Sequence, residues 1–249
     1  MGENAFTSAQ QEGLYRAIYE RRDVRSQFLP TPVPDEVLAR LLHAAHHAPS
    51  VGFMQPWDFV LIRDLAVRQQ VKALFDEANQ SAARRFAEEG DARASLYPRL
   101  KLEGILDSPL NLCITCDRRR GGPTVLGRTS ILEMDLFSAC LAVQNLWLAA
   151  RAEGVGIGWV SILDNQRLAQ LLQLPEHIYP LAYLCVGYVS EFLPEPELQR
   201  LGWQQRLSLS DLVHLDHWNQ HELPSSLQQA LEQVSIPELV ANNIMSISQ

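Results

Sequence analysis

The stretch 130-SILEMDLFSACLAVQNLWLAARAEGVGIGWVSIL-163 decides the fold class. In its first part Leu132, Leu136, Ala139, Cys140, Val143, Leu146, Trp147 and Ala150 fall at helical spacing and leave little polar face, which predicts a long, central, buried helix. Ser130 and Glu133 have capping-box spacing and set its start. Gly154 stops it. Val155 to Leu163 then reads as a strand with glycines at 156 and 158.

Working outward, Leu181 to Val189 is a further strand after a short helix near Leu168. Upstream, Phe59 to Ile62 and Leu110 to Cys116 are short apolar runs that predict buried strands, the second followed by a turn at Gly121-Gly122-Pro123. A polar helix is predicted from about Leu65 to Glu89. Val33-Pro34-Asp35-Glu36 opens a helix that runs through Ala48 to its stop at Pro49. Residues 8–22 carry Leu14 with Ile18 and Tyr15 with Tyr19 at i, i+4 spacing, a first amphipathic helix ending near Arg21 and Arg22. Leu227 to Leu239 is a surface or partner-embracing helix. Helices outnumber strands and separate several of them, so residues 1–249 read as one α/β or α+β domain. Its core is about 10–215, with a C-terminal extension over about 216–249. A domain of this kind with an extended tail suits a dimer.

The composition supports a full core: 249 residues, 47% hydrophobic and 20% charged, with 13 Gly and 14 Pro, which sets aside collagen, coiled coil and disorder. The net charge of −8 at pH 7 argues against nucleic acid as main partner, so any bound anion must meet a local basic cluster. The N-terminus lacks a secretory pattern, and Phe6 stands where the myristoylation motif wants a small residue. Apolar stretches are broken well short of the roughly 20 residues a bilayer requires. Four cysteines without paired spacing fit a reducing cytoplasm.

That basic cluster is Arg21-Arg22-Asp23-Val24-Arg25, three guanidiniums in five residues. It reads either as an anion site or as a solvated charge run at a helix C-terminus. Asp23 amid the arginines stays ionised and serves as a base, a charge stabiliser or a clamp. Other constellations read as structural. Cys113 and Cys116 have redox or zinc spacing but lie in an apolar strand, on opposite faces, with no second pair. His43, His46 and His47, and His214, His217 and His221, lack the acid or thiol partners of a metal site. The run Gly154-Val155-Gly156-Ile157-Gly158 is not a dinucleotide fingerprint, because Trp159 occupies the needed position and the run follows a helix. Its glycines serve close packing or let a flat ligand lie against the strand. Serine-hydrolase and P-loop motifs do not occur.

Taken together, Arg21 to Arg25, Ala48-Pro49-Ser50-Val51-Gly52-Phe53-Met54-Gln55-Pro56-Trp57 and Gly154 to Leu163 resemble the FMN-binding nitroreductase superfamily, over about Leu14 to Leu212. The resemblance implies an α+β fold, a mixed central sheet flanked by helices, and a homodimer with FMN at the subunit interface. Within the superfamily, Asp23, the HHAPSVGFMQPW string at 46–57 and Gly158 to Leu163 look like the BluB branch, the 5,6-dimethylbenzimidazole synthases. Typical nitroreductases carry serine or a similar small residue where Asp23 stands. The branch implies that reduced FMN is consumed as substrate. With O2 it is fragmented to 5,6-dimethylbenzimidazole, the lower ligand of vitamin B12, and erythrose 4-phosphate is released. NAD(P)H enters only through a separate flavin reductase.

By the same resemblance Arg21, Arg22 and Arg25 hold the phosphate and pyrimidine oxygens, Val24 lies among them, and Arg206 completes the phosphate site. Ser50 contacts the flavin, Gly158 offers a backbone N–H near its N5, and Leu100 touches it from a lid over Tyr97 to Gly104. Asp23 and Ser161 carry the chemistry, with no metal. Two other classes compete: an NAD(P)H-dependent nitroreductase or flavin reductase that retains FMN, and a non-enzymatic flavin-binding or storage protein.

Overall fold

The computed structural model describes residues 5–233, in two compact units: Glu20–Glu197, and the described parts of the two chain ends, 5–19 and 198–233. The larger unit holds a four-stranded sheet of β1 (Trp57–Ile62), β2 (Leu110–Asp117), β3 (Val155–Val160) and β4 (Ile178–Tyr188), in the order β1-β2-β4-β3. Every neighbouring pair is antiparallel, with Trp57 opposite Cys116, Leu112 opposite Leu184 and Ile157 opposite Val186. The mixed character expected of the sheet reduces to one isolated parallel bridge, Asp23 to Ile157.

The two inner strands, β2 and β4, are buried on both faces, which is why they read in the sequence as apolar runs rather than alternations. Alternation still sorts their side chains. Leu112, Ile114, Leu184 and Val186 meet α2 (Asp35–His46) and α4 (Met134–Ala152) through Leu38, Leu41, Leu146 and Trp147. Cys113, Tyr183 and Cys185 face the opposite layer, built by Val71 and Phe75 of α3 (Leu65–Glu88), Leu168 of α5 (Asn165–Leu171) and Ile105. Each fully buried leucine in these layers stabilises the fold by about 1.5–3 kcal/mol.

Asp64 and Asp164 start α3 and α5 by accepting hydrogen bonds from the N–H groups of Ala66 and Gln166, at 2.7 and 2.9 Å. The capping box expected at Ser130 and Glu133 does not form. The helix begins at Met134, with Glu133 making no side-chain cap. Arg118 and Arg128 donate to the Leu132 carbonyl at 3.2 and 3.0 Å, holding 128–132 outside the helix. Both also pair with the fully buried Asp135 in the first turn, at 3.0 and 2.8 Å. Gly154, at φ +73°, ends α4 as expected. The strand expected over 155–163 stops at Val160, where the chain turns to reach the Asp164 cap.

The smaller unit contains α1 (Ser8–Glu20), the turn of helix α6 (Glu197–Arg200) and α7 (Ser225–Gln233). Tyr15 and Tyr19 stack on α1 with ring centroids 6.0 Å apart. The tail helix is described to Gln233; its expected continuation to Leu239 lies outside the described residues.

Candidate active site

The site is built on β3, the edge strand, by close approach of the Arg21–Arg25 segment. Val24 donates its N–H to the Ile157 carbonyl at 2.9 Å and turns a buried side chain onto the strand. A Cβ added at Gly158 would lie 2.1 Å from the Val24 carbonyl oxygen, and one at Gly156 would lie 3.0 Å from the Val24 side chain. The glycines are there so that the chain's own backbone can lie flat on β3. Val24 thus meets β3 through both its main chain and its buried side chain.

This docking aims Asp23 along the strand. One carboxylate oxygen, Oδ1, accepts the Trp159 N–H at 2.8 Å; the other, Oδ2, pairs with Arg25 Nη2 at 2.8 Å. Asp23 keeps 34% of its side chain exposed, whereas Arg25 keeps 11%. Arg25 Nη1 reaches on to the Lys101 carbonyl at 3.2 Å, so one guanidinium joins the carboxylate to the segment expected to act as a lid. The other two arginines diverge. Arg21 lies over the Trp147 ring at 5.2 Å. Arg22 donates to the carbonyls of Leu193, Pro194 and Arg21 and so braces the main chain, while its own carbonyl accepts Trp147 Nε1–H at 3.1 Å.

Ser50 opens a tight turn in which Gly52, Phe53 and Gln55 all have positive φ. Its Oγ accepts the Gln55 N–H at 3.0 Å, which leaves the hydroxyl proton for another partner. Val51 N–H donates to Ser138 Oγ at 3.0 Å. Arg120 closes the far end, bonding the carbonyls of Gln55 and Trp57 at 2.7 and 2.9 Å and gripping both oxygens of Asp58 at 2.8 and 2.7 Å. Sequence reasoning missed this clamp and the Asp135 pairs. The signal was the run Arg118-Arg119-Arg120, in which the partners of Arg120 sit 62–65 residues away while Arg118 pairs with the nearby Asp135.

In the segment expected to act as a lid, Tyr97 is buried, packs at a tilt against Phe86 with ring centroids 5.1 Å apart and donates to Asn79 Oδ1 at 2.8 Å. Leu100 ends the following turn, half-buried. Gly104 presses on Arg25, where a Cβ would meet its carbonyl oxygen at 2.7 Å. Ser161 is exposed just beyond the end of β3, two residues from the N–H that holds Asp23. It opens onto a groove of about 530 Å³ lined by Ala82, Arg85, Phe86, Ile162 and Leu163. The structure thus gathers Asp23, Val24, Arg25, Gly158 and the Leu100–Lys101 stretch around one end of β3. Arg206 lies exposed in the smaller unit.

Among the described residues no cluster of His, Cys, Asp and Glu could hold a metal. Burial pushes the thiols of Cys113 and Cys116 up to about 12, as suits core cysteines. His46 Nδ1 instead meets Trp57 Nε1 at 3.1 Å, and His214 packs against Trp218 and His221.

The Nitroreductase family model matches residues 18–188, which include β1 to β4 and the Asp23 segment. The chain belongs to the nitroreductase family. Among relatives of this family member, a 5,6-dimethylbenzimidazole synthase of Rhodospirillum rubrum is 43% identical over 81% of this chain and 93% of its own length. One from Rhodobacter capsulatus is 38% identical over 81% of this chain and 96% of its own. The fold is similar to that of iodotyrosine deiodinase solved with FMN and 3-iodo-L-tyrosine, with TM-score 0.61 and 20% identity over 83% of this chain and 98% of that one. No described helix is long and apolar enough to cross a membrane.

Proposed function

We propose that this nitroreductase-family chain is a 5,6-dimethylbenzimidazole synthase, which uses O2 to fragment reduced FMN to 5,6-dimethylbenzimidazole with release of erythrose 4-phosphate. The observation that carries this reading is Asp23. A chain 43% identical to a synthase places a carboxylate against the site strand, fixed at one oxygen by the Trp159 N–H and paired at the other with Arg25. A flavoprotein that only passes hydride has no need of that group.

The donor set fits FMN. Arg21 is half-buried on Trp147, Ser50 retains a hydroxyl proton, and the strand backbone at Gly158 is bordered by a carboxylate and a second guanidinium. Such a set suits a phosphate at one end and a flat polar heterocycle at the other. Arg21 holds the phosphate; Arg22 shapes that end through its brace, and Arg25 faces the pyrimidine oxygens. Reduced FMN, when bound, supplies both the electrons for oxygen and the carbon of the product. Asp23 Oδ2 takes and returns a proton, while Oδ1 stays fixed to the strand. The Ser161 hydroxyl donates or relays a proton at the mouth of its groove. Leu100 and the lid exclude water from the site.

The exposed side chains of Phe53, Leu126, Ile131, Leu132, Phe137 and Leu141, the first two 83% and 85% exposed, support a homodimer formed through the turn after Ser50 and the face of α4. The enzyme works in the cytoplasm, supplied by a separate NAD(P)H-dependent flavin reductase. The test is to mix the protein with chemically reduced FMN without oxygen, admit O2, and analyse the small molecules by chromatography and mass. Appearance of 5,6-dimethylbenzimidazole is expected. Return of oxidised FMN alone overturns the synthase in favour of a reductase or a flavin carrier.

A further inference from the structure

Below the lid lies a buried polar chain that no part of the proposed chemistry uses. The turn Gly104–Ser108 closes with a Ser108 N–H bond to the Gly104 carbonyl at 3.0 Å. Ser108 is 1% exposed, and its Oγ accepts Asn111 Nδ2–H at 2.8 Å while donating to the Leu110 carbonyl at 3.2 Å. Asn111, fully buried on β2, accepts the Tyr183 hydroxyl of β4 at Oδ1, 2.9 Å away. Burial pushes the Tyr183 phenol upward, so it is a permanent donor. From the other side α3 sends in Arg68, 9% exposed, whose Nη1 donates to the Ser108 carbonyl. Arg68 has no carboxylate partner among the described residues and its Nε is unbonded. Burying an uncompensated guanidinium is costly, and here its one bond points at the base of the lid.

The other end of the same turn touches the site. Gly104 presses on the Arg25 carbonyl and the Phe28 ring, and Arg25 holds both Asp23 and the Lys101 carbonyl. We infer that Tyr183, Asn111, Ser108 and Arg68 are positioning residues: they fix the lid's C-terminal base to the sheet and so set where Lys101–Gly104 rests against the Arg25–Asp23 pair. This inference rests on the synthase reading for its consequence, which is water exclusion during turnover, but not for its geometry.

The experiment is amide hydrogen exchange, read by mass spectrometry on the ligand-free protein, for Tyr183→Phe and Ser108→Ala. Each variant removes one hydroxyl and leaves a buried polar partner unmet. Exchange over 100–108 is expected to quicken about tenfold or more in both, while α2 and β1 keep their parent rates. Unchanged protection over 100–108, or equal quickening throughout, overturns the inference. Should Tyr183→Phe fail to fold, Ser108→Ala decides alone. In the coupled assay the ratio of 5,6-dimethylbenzimidazole formed to O2 consumed is expected to drop severalfold in both variants, whereas a loss of general stability would leave that ratio unchanged. A parent protein that makes no 5,6-dimethylbenzimidazole overturns the synthase reading and leaves the exchange result to judge the anchor.

Discussion

Two walls enclose the candidate site, and they are held in opposite ways. The Asp23–Val24 strip and the Ser50–Trp57 turn are fixed by contacts that leave no slack: a carbonyl pressed on Gly158, a carboxylate tied at both oxygens, a guanidinium gripping Asp58 and two carbonyls. The segment over 91–107, which contains the expected lid at 97–104, combines part-exposed pairs such as Asp91–Arg93 and Lys101–Asp107 with buried anchors at Tyr97, Ile105 and the adjoining Ser108. Exposed pairs are individually weak, about 0–1 kcal/mol. Under the proposed function, a site that holds a carboxylate still and also admits a bulky substrate needs one wall of each kind.

The contrast breaks most completely at Gly158. Gly158→Ala places a methyl where the Val24 carbonyl sits, so the strip must leave β3; a loss of about 1–3 kcal/mol in stability is expected, with product formation abolished. A denaturant midpoint equal to the parent's would show that the strip can yield. Asp23→Asn keeps the shape of the wall and removes its charge. Product formation is expected to fall by about 10²–10⁴-fold while FMN affinity, followed by fluorescence quenching, changes only a few-fold; a parent rate would make Asp23 purely structural. Ser161→Ala, at the mouth of the groove, is expected to slow product formation about tenfold, more than it weakens binding. An unchanged rate removes the hydroxyl from the chemistry.

The smallest effect belongs to the turn before the lid and to pH. Hydrogen bonds from the Arg93 side chain and N–H hold the Asp91 carboxyl down at about 2. A folded-state value below the unfolded one of about 3.9 gives a stabilising contribution that is present above about pH 4 and lost as pH falls through about 2. The Asp91 carboxyl carbon resonance is therefore expected to keep its ionised position down to about pH 3. A midpoint near 4 would mean that the pair does not hold in solution.

Much of the frame was legible because its signals are local. Apolar runs bounded by turn residues gave β1 and β2 to within a few residues, and Gly154 marked the end of α4. Failures came where a distant partner won. Ser130 and Glu133 had the right spacing for a cap, but Arg118 and Arg128 hold Leu132 and Asp135 instead. In the arginine cluster, sequence could not separate Arg22 from its neighbours, since its carbonyl partners at 193 and 194 lie more than 170 residues away. The glycines of β3 carried two readings until the structure put Val24 against them. Asp23 stood out early because a carboxylate between guanidiniums is chemically conspicuous wherever the chain folds.

The strand that carries Gly158 pairs, residue for residue, with one that places Cys185 directly opposite it. Burial pushes the Cys185 thiol up to about 12, as it does Cys113 beside it in the same layer. At neutral pH such groups stay protonated, and the thiolate is the form that reactive oxygen attacks. The sulfurs of this layer are therefore held in their unreactive, protonated form.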